Sequence, residues 1–372
     1  MKESIHITLQ ATRLAVYPAA NYLFFLVLSW VWTQRDYNLY VRYFSAANLL
    51  VVVAGIGLGG AWIDFLRQDE RAGRDKILMV VLLCASLFVA GLLALGMDPV
   101  IGLMGLAFSI YALTEYALKG GQLLPQLILL RYGAAVSVLL LTALVFFGLE
   151  DAWWLAVLRS LAIVILLCLF FAAQRTILPR FPRKGKVGLG ALAGRSSLYS
   201  LTALGTVGIQ GVDKLLLASS ADEQTLFAYS ALFFSSILIG NRFTDLLLSQ
   251  SLSNRHPTIR SYAPLFVVEF LGLVVLLGGL RLFYPDRLYG MLEILLFSTT
   301  AVALTLSDFL WWNLSVARSA SSRYARVSVA IFVLYLLLFL VVRPDSVVSG
   351  ILILLACYSL SLLAYFLDRG ET

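Results

Sequence analysis

The composition of this 372-residue chain excludes a soluble globular protein. Hydrophobic residues make up 60% of it and charged residues only 13%, against about 45–50% and about 25% in soluble domains. The mean hydropathy is +0.89. Because a soluble core cannot bury this much apolar surface, we expect most of the chain to lie in lipid. Its apolar runs are continuous and do not alternate, which favours membrane helices over a membrane β-barrel.

In chain order, twelve apolar segments approach the length of about 20 residues that a helix needs to cross a bilayer. They lie at about 12–33, 41–63, 77–96, 100–117, 127–148, 153–174, 196–219, 225–249, 263–284, 289–314, 327–342 and 348–367. The fourth carries Glu115 near its end and the eleventh is short, so ten or eleven helices is the alternative count. The sequence therefore predicts an all-α polytopic membrane protein with short loops.

The basic residues predict the orientation of these helices. The chain has 28 Lys and Arg against 21 Asp and Glu. With the N-terminus in the cytoplasm, nineteen of the 28 fall on the cytoplasmic side and only Arg35, Arg287 and Arg343 fall outside. Short cytoplasmic loops of membrane proteins are enriched in basic residues. We therefore expect a multi-pass protein with both termini in the cytoplasm and no nucleic-acid partner.

The two halves of the sequence resemble each other. A basic loop with Pro179 and Pro182 divides the chain into an N-terminal six-helix lobe at 1–174, a cytoplasmic linker at 175–195 and a C-terminal six-helix lobe at 196–372. The first and seventh helices are the most polar, and Tyr40 and Tyr229 each follow near the start of the next helix. With six helices in each half, both halves have the same orientation in the membrane, which predicts lobes related by a pseudo-two-fold axis along the membrane normal. Chance similarity between apolar helices is the alternative.

Nothing in the sequence is typical of an active site, a cofactor site or a metal site. The cysteines lie in apolar runs, and the chain has only two histidines. The stretch from Gly55 to Ala61 superficially matches a dinucleotide fingerprint. It lies inside an apolar helix and does not follow a strand of a βαβ unit, so it is not a dinucleotide-binding motif. Its small residues favour close helix packing, with a flexible point in a moving helix as the alternative.

Ionisable residues inside the segments are the informative ones, because each costs about 2.5–3.5 kcal/mol at the centre of a membrane helix. Those within about a turn of a segment end are expected to reach the membrane interface. This set comprises Arg42, Arg131, Arg281, Asp64, Glu115 and Glu293. Arg159 and Arg242 lie deeper. For Arg242, pairing with Asp245 on the same helix is the alternative to a role in binding.

The seventh segment has a polar face. Ser196, Ser200, Gln210 and Asp213 fall near one side of it, which predicts a helix that lines a polar interior. A salt bridge that holds two helices together is the alternative role for Asp213. If Arg159, Lys214 and Arg242 converge between the lobes, the cavity there is cationic and suits an anionic group such as a diphosphate. We add Gln210 and Asn21 as further candidates for substrate contact.

Several segments together resemble a known family. They are Ser196 to Gly205, Gly211 to Ala218, Leu226 to Ala231, Asp36 to Tyr40 and Ala54 to Gly60. These resemble the polysaccharide flippases of the multidrug/oligosaccharidyl-lipid/polysaccharide superfamily. The resemblance implies a two-lobed bundle of twelve or fourteen helices. It also implies export of undecaprenyl-diphosphate-linked sugars, such as O-antigen, capsule or exopolysaccharide units, by alternating access. The chain is short for that family.

The leading hypothesis is therefore a non-enzymatic flippase of lipid-linked oligosaccharides in a bacterial inner membrane. Its partners would be the lipid-linked substrate, the bilayer and other polysaccharide-assembly proteins. A cation gradient would couple through one of Asp213, Asp245, Glu269 and Asp308. The alternatives are a multidrug/cation antiporter of the same superfamily, and a polysaccharide polymerase or ligase. The absence of a large external loop counts against the enzyme; a non-catalytic scaffold is a further alternative.

The predicted topology can be tested at Gly185, which lies in the basic linker. In intact cells a Gly185→Cys variant should react with a membrane-permeant thiol reagent and not with an impermeant one. Efficient labelling by the impermeant reagent would reject the orientation.

Overall fold

The computed structural model describes residues 13, 16–61, 96, 98–120, 123–173, 189–236, 259–283, 290–317 and 322–369. Within these ranges the chain forms helices joined by short turns, and no strand. The candidate residues Arg242 and Asp245, together with Asp64, lie outside these ranges, as does almost all of the third predicted segment.

In its described ranges the first half forms five helices and a π-helical segment. The described elements are α1 (Val16–Val31), α2 (Gln34–Leu50), a π-helical segment π1 (Val51–Gly57), α3 (Pro99–Gly120), α4 (Leu124–Phe146) and α5 (Ala152–Ala173). The α2 helix runs without a break through π1 and a further helical turn to Ala61. Each of these elements overlaps a predicted apolar segment.

In its described ranges the second half forms one helix that contains a π-helical segment and five further helices. Its described elements are α6 (Leu189–Ala203), a second π-helical segment π2 (Leu204–Gly208), α7 (Ile209–Ser220), α8 (Glu223–Ser236), α9 (Ile259–Phe283), α10 (Met291–Ala317), α11 (Ser322–Val342) and α12 (Val347–Arg369). The α6 helix begins at Leu189, so the end of the predicted 175–195 linker is helical. In the described ranges of both halves, seven helices are long and apolar enough to cross a membrane.

Large apolar side chains cover much of the outside of the bundle. Phe147, Leu282 and Val341 are each at least 80% exposed, and α4, α5, α11 and α12 carry many similar residues. A soluble protein rarely leaves such a continuous apolar surface in water. The exterior therefore fits a lipid environment, and the expectation of an all-α polytopic membrane protein is confirmed.

The buried apolar side chains form separate cores in the two halves of the chain. One core joins α1 to α5; from the second half, Phe227 is buried in it and Leu215 packs against it. Another joins α7 to α12, and a small aromatic cluster around Trp311 links α10, α11 and α12. The pseudo-two-fold relation between the halves stays a prediction.

The two halves contact each other mainly through the rod formed by α2 and π1. The Asn38 side-chain amide donates to the Glu223 carbonyl at 2.8 Å, and the Tyr37 and Phe227 rings meet edge to face. Towards the other end of the rod, a Cβ at Gly57 would lie 2.0 Å from the Ser200 hydroxyl, and one at Gly60 would lie 2.5 Å from the Tyr199 ring. The prediction that these glycines permit close helix packing is confirmed.

A serine from α11 completes the backbone hydrogen bonds around π2. A π segment interrupts the regular ladder of a helix, and unsatisfied backbone groups are costly in lipid. The Ser328 hydroxyl accepts from the Gly205 N–H and donates to the Thr202 carbonyl, both at 2.7 Å. Ser328 therefore stabilises the interruption between α6 and α7.

We expect Ser328→Ala to lower the free energy of unfolding by about 1–2 kcal/mol, since two buried backbone groups lose their partner. The measurement is a denaturant titration of the detergent-solubilised protein. Ser197→Ala is the matched control, because the exposed Ser197 hydroxyl donates to the Ala193 carbonyl of its own helix. Equal stability of the two variants would contradict this role of Ser328.

Candidate functional site

Arg159 lies inside the first half, where three helices supply its contacts. It is carried by α5 and is only 2% exposed. Its Nη1 donates to the Tyr40 hydroxyl of α2 at 2.8 Å, and its Nη2 donates to the Asn21 amide oxygen of α1. The predicted candidates Arg159 and Asn21 are therefore in direct contact.

Four phenylalanine rings surround the same guanidinium. Its carbon lies 4.8 Å from the Phe24 ring centre, 5.0 Å from that of Phe44, 5.3 Å from that of Phe108 and 5.7 Å from that of Phe25. A cation near an aromatic face is stabilised by the negative side of the ring, by about 2 kcal/mol or more when water is excluded. The rings let the first half hold a cation away from water.

The charge of Arg159 is not neutralised within the part of the chain that the structure describes. There, no carboxylate pairs with Arg159, and its Nε has no hydrogen-bond partner. Its two polar partners, a phenol and an amide, are uncharged. The first half thus contains a buried positive charge with a free donor, a combination that attracts an anion.

In the second half, Lys214 is neutralised by a partner on its own helix. Its Nζ lies 3.0 Å from the Asp213 carboxylate and donates to the Gln210 carbonyl at 2.7 Å. The Tyr229 hydroxyl of α8 also donates to Asp213, at 2.9 Å, and Lys214 lies 4.4 Å from the Phe233 ring centre. Asp213 therefore forms a salt bridge with its neighbour on the same helix, and its described contact with a second helix is the hydrogen bond from Tyr229.

The described contacts of Arg159 and of Lys214 lie in different halves of the chain. Those given above for Arg159 come from the first half, and those for Lys214 come from the second. That both bases face the space between the lobes stays a prediction. Each buried base contacts aromatic and polar groups of its own half, and such groups stabilise a charge away from water.

Arg131 and Glu115 also depart from expectation. Arg131 is 3% exposed and does not reach an interface; it forms a two-pronged ion pair with Glu115, at 2.7 Å and 3.1 Å. Of the other residues expected there, Arg42 and Arg281 are exposed and Glu293 is half-buried.

The remaining acidic candidates lie in the second half. Glu269 on α9 is buried and contacts Thr305 of α10, whereas Asp308 is half-buried on α10. No group of acids, histidines or cysteines in the described ranges could hold a metal ion.

Sequence reasoning missed two tyrosines as partners of the buried charges. Tyr40 contacts Arg159 and Tyr229 contacts Asp213, each within its own half. The sequence predicts that Tyr40 corresponds to Tyr229 in the other half. It does not predict which groups their hydroxyls contact, because these partners lie 119 and 16 residues away along the chain.

Comparison with known proteins gives a likeness of fold. No protein-family model and no curated protein sequence matches the chain. Among solved structures, the crystal structure of a eukaryotic MATE transporter, AtDTX14, is similar with a TM-score of 0.50 and 12% identity, over 97% of this chain and 96% of that one. The chain therefore has a MATE-type fold of about 12 membrane helices.

Removing one member of the Asp213–Lys214 pair should destabilise the protein more than removing both. A buried charge without its partner is costly, by about 3–5 kcal/mol, whereas replacing both charges is often nearly neutral. We expect the Asp213→Asn/Lys214→Met double variant to unfold at a higher denaturant concentration than Lys214→Met alone. A double variant less stable than both single variants would contradict this account.

Proposed function

We propose that the chain is a membrane exporter that moves undecaprenyl-diphosphate-linked oligosaccharides across a bacterial inner membrane by alternating access. The MATE-type fold supports a transporter, and not an enzyme, as the class. The finer assignment, to an anionic lipid-linked sugar, rests on the buried and unneutralised guanidinium of Arg159.

The chemistry around Arg159 favours an anion over a cation. A diphosphate would supply the missing counter-charge and accept from the free Nε donor, while Tyr40 and Asn21 already hold the other side of the guanidinium. The neighbouring Phe rings are uncharged. Two of the acids that a cationic drug could bind, Asp213 and Glu115, are already paired with Lys214 and Arg131.

The described conformation keeps Arg159 away from solvent. In the proposed cycle, α1 and α2 move relative to α5, so that the diphosphate meets the guanidinium while the prenyl chain stays in lipid. The contacts of α2 and π1 with the second half must rearrange in such a movement.

A multidrug/cation antiporter is the second candidate, and the likeness of fold to a MATE transporter favours it. The phenylalanine-lined interior of the first half would also suit a flat aromatic drug. The two candidates differ in the charge of the substrate, and this difference can be measured.

The test uses the full chain in proteoliposomes that carry a lipid-linked oligosaccharide, with sugar reaching the other leaflet detected by an added lectin. We expect Arg159→Met to reduce the rate by about tenfold or more, since charge-assisted hydrogen bonds contribute about 1.5–3 kcal/mol. Arg159→Lys should restore part of it, because the charge returns without the planar fork.

Arg42→Met is the matched control, because Arg42 is an exposed base in the same half. Amount and thermal stability of each variant are measured alongside. Normal sugar transport by a stable Arg159→Met protein would reject the proposed site. Transport of a cationic dye, with no transport of the lipid-linked sugar, would favour the antiporter.

A further inference from the structure

A buried carboxyl group lies between α9 and α10, apart from the Arg159 site. Glu269 is 1% exposed and shares its face of α9 with the fully buried Leu273 and Leu277. Val268 and Val275, on other faces of the helix, are exposed among the apolar side chains of the exterior. Glu269 therefore points into the core of the second half, away from the bilayer.

The carboxyl group has one polar neighbour and no cation within the described ranges. Its Oε1 lies 2.8 Å from the Thr305 hydroxyl of α10, and its Oε2 has no hydrogen-bond partner. The other buried acid of this half, Asp213, is neutralised by Lys214. Glu269 therefore differs from Asp213, because its described polar neighbour is a hydroxyl group and not a cation.

The number of available hydrogens shows which form of Glu269 fits this geometry. The Thr305 hydroxyl also lies 2.9 Å from the Ala301 carbonyl, which can only accept. A hydroxyl has a single hydrogen and donates one full hydrogen bond, either to Ala301 or to Glu269. Both contacts are full hydrogen bonds at once only if Glu269 carries a proton and donates it to Thr305. An ionised carboxylate here would be a buried charge without compensation.

The titratable groups on the packed helices do not change this conclusion. The α10 helix carries Glu293 and Asp308, and α8 carries Glu223 and Tyr229. None of these is a base, and Tyr229 already donates to Asp213. On α9 itself, Tyr262 and Arg260 lie in the first turns and Arg281 is exposed near the other end.

We propose that Glu269 and Thr305 form a proton-binding site, and that the described conformation is its protonated form. When α9 and α10 separate enough to admit water, the O–H bond of Glu269 breaks and the proton passes to water, leaving a hydrated carboxylate. The carboxylate must take up a proton again before the helices close. Building on the proposed transport function, this links proton binding to the transport cycle.

Infrared spectroscopy of the full chain in nanodiscs tests the site without any substrate. At neutral pH, wild type should show a protonated-carboxyl C=O band that Glu269→Gln lacks, and Thr305→Val should shift this band because its hydrogen-bond partner is lost. Asp222→Asn is the matched control. The backbone N–H of Thr225 donates to the exposed Asp222 and holds its pKa below the ordinary value, so Asp222 is ionised and adds nothing to this band.

Proteoliposomes with an imposed pH difference test the coupling. Wild type should transport faster with the pH difference than without it, whereas Glu269→Gln, which mimics the protonated form, should run at the same rate in both. Identical infrared spectra of wild type and Glu269→Gln would overturn the site, even if lipid-linked sugar is transported. Acceleration by a sodium gradient, and not by a pH difference, would also overturn it.

The substrate assignment can fail independently. Proton-driven transport of a cationic dye that is lost in Glu269→Gln would support the proton site while rejecting the lipid-linked sugar as the substrate.

Discussion

The interior of this bundle is governed by the cost of removing charge from water inside a molecule whose exterior is itself apolar. The structure meets this constraint in several ways. Arg131 and Glu115 neutralise each other, as do Lys214 and Asp213. Arg159 is surrounded by aromatic rings and two uncharged oxygens, and Glu269 fits its surroundings as a neutral acid. Of these four arrangements, the two ion pairs are neutral and complete. Arg159 has no described counter-charge, and Glu269 carries a proton that it can release, so these two residues differ from the structural ion pairs.

Much of the fold could be predicted from the sequence because a membrane helix depends on a local property, a run of apolar residues of sufficient length. The partners of the charged residues could not. Depth along a helix separated Arg159 from Arg42, and the structure places these residues inside and outside respectively. For Arg131 the same reasoning was wrong, because Glu115 on the neighbouring helix neutralises it before it needs to reach an interface. Pairing between helices depends on helix rotation, which apolar runs alone do not determine.

Tyr40 and Tyr229 contact oppositely charged side chains in the two halves. Each tyrosine places a hydroxyl near the start of the second helix of its half. In the first half this hydroxyl accepts from a cation on α5, and in the second it donates to a carboxylate on α7. A phenol can do either, since it is both donor and acceptor. A tyrosine therefore suits both places, beside a cation in the first half and beside a carboxylate in the second.

Each described ion pair lies within one half of the chain. Arg131 and Lys119 pair with Glu115 in the first half, and Lys214 pairs with Asp213 in the second. Between the halves, the structure describes a hydrogen bond from Asn38 to a carbonyl, one edge-to-face ring contact and close approaches at glycines. Contacts of this kind can be exchanged without separating opposite charges in lipid, which would cost several kcal/mol. The π2 segment, whose backbone groups are bonded to Ser328, lies within the helix from Leu189 to Ser220 and adds a point where this helix can change direction without exposing unpaired N–H groups. Strong interactions within the halves and exchangeable ones between them are what the proposed alternating access requires.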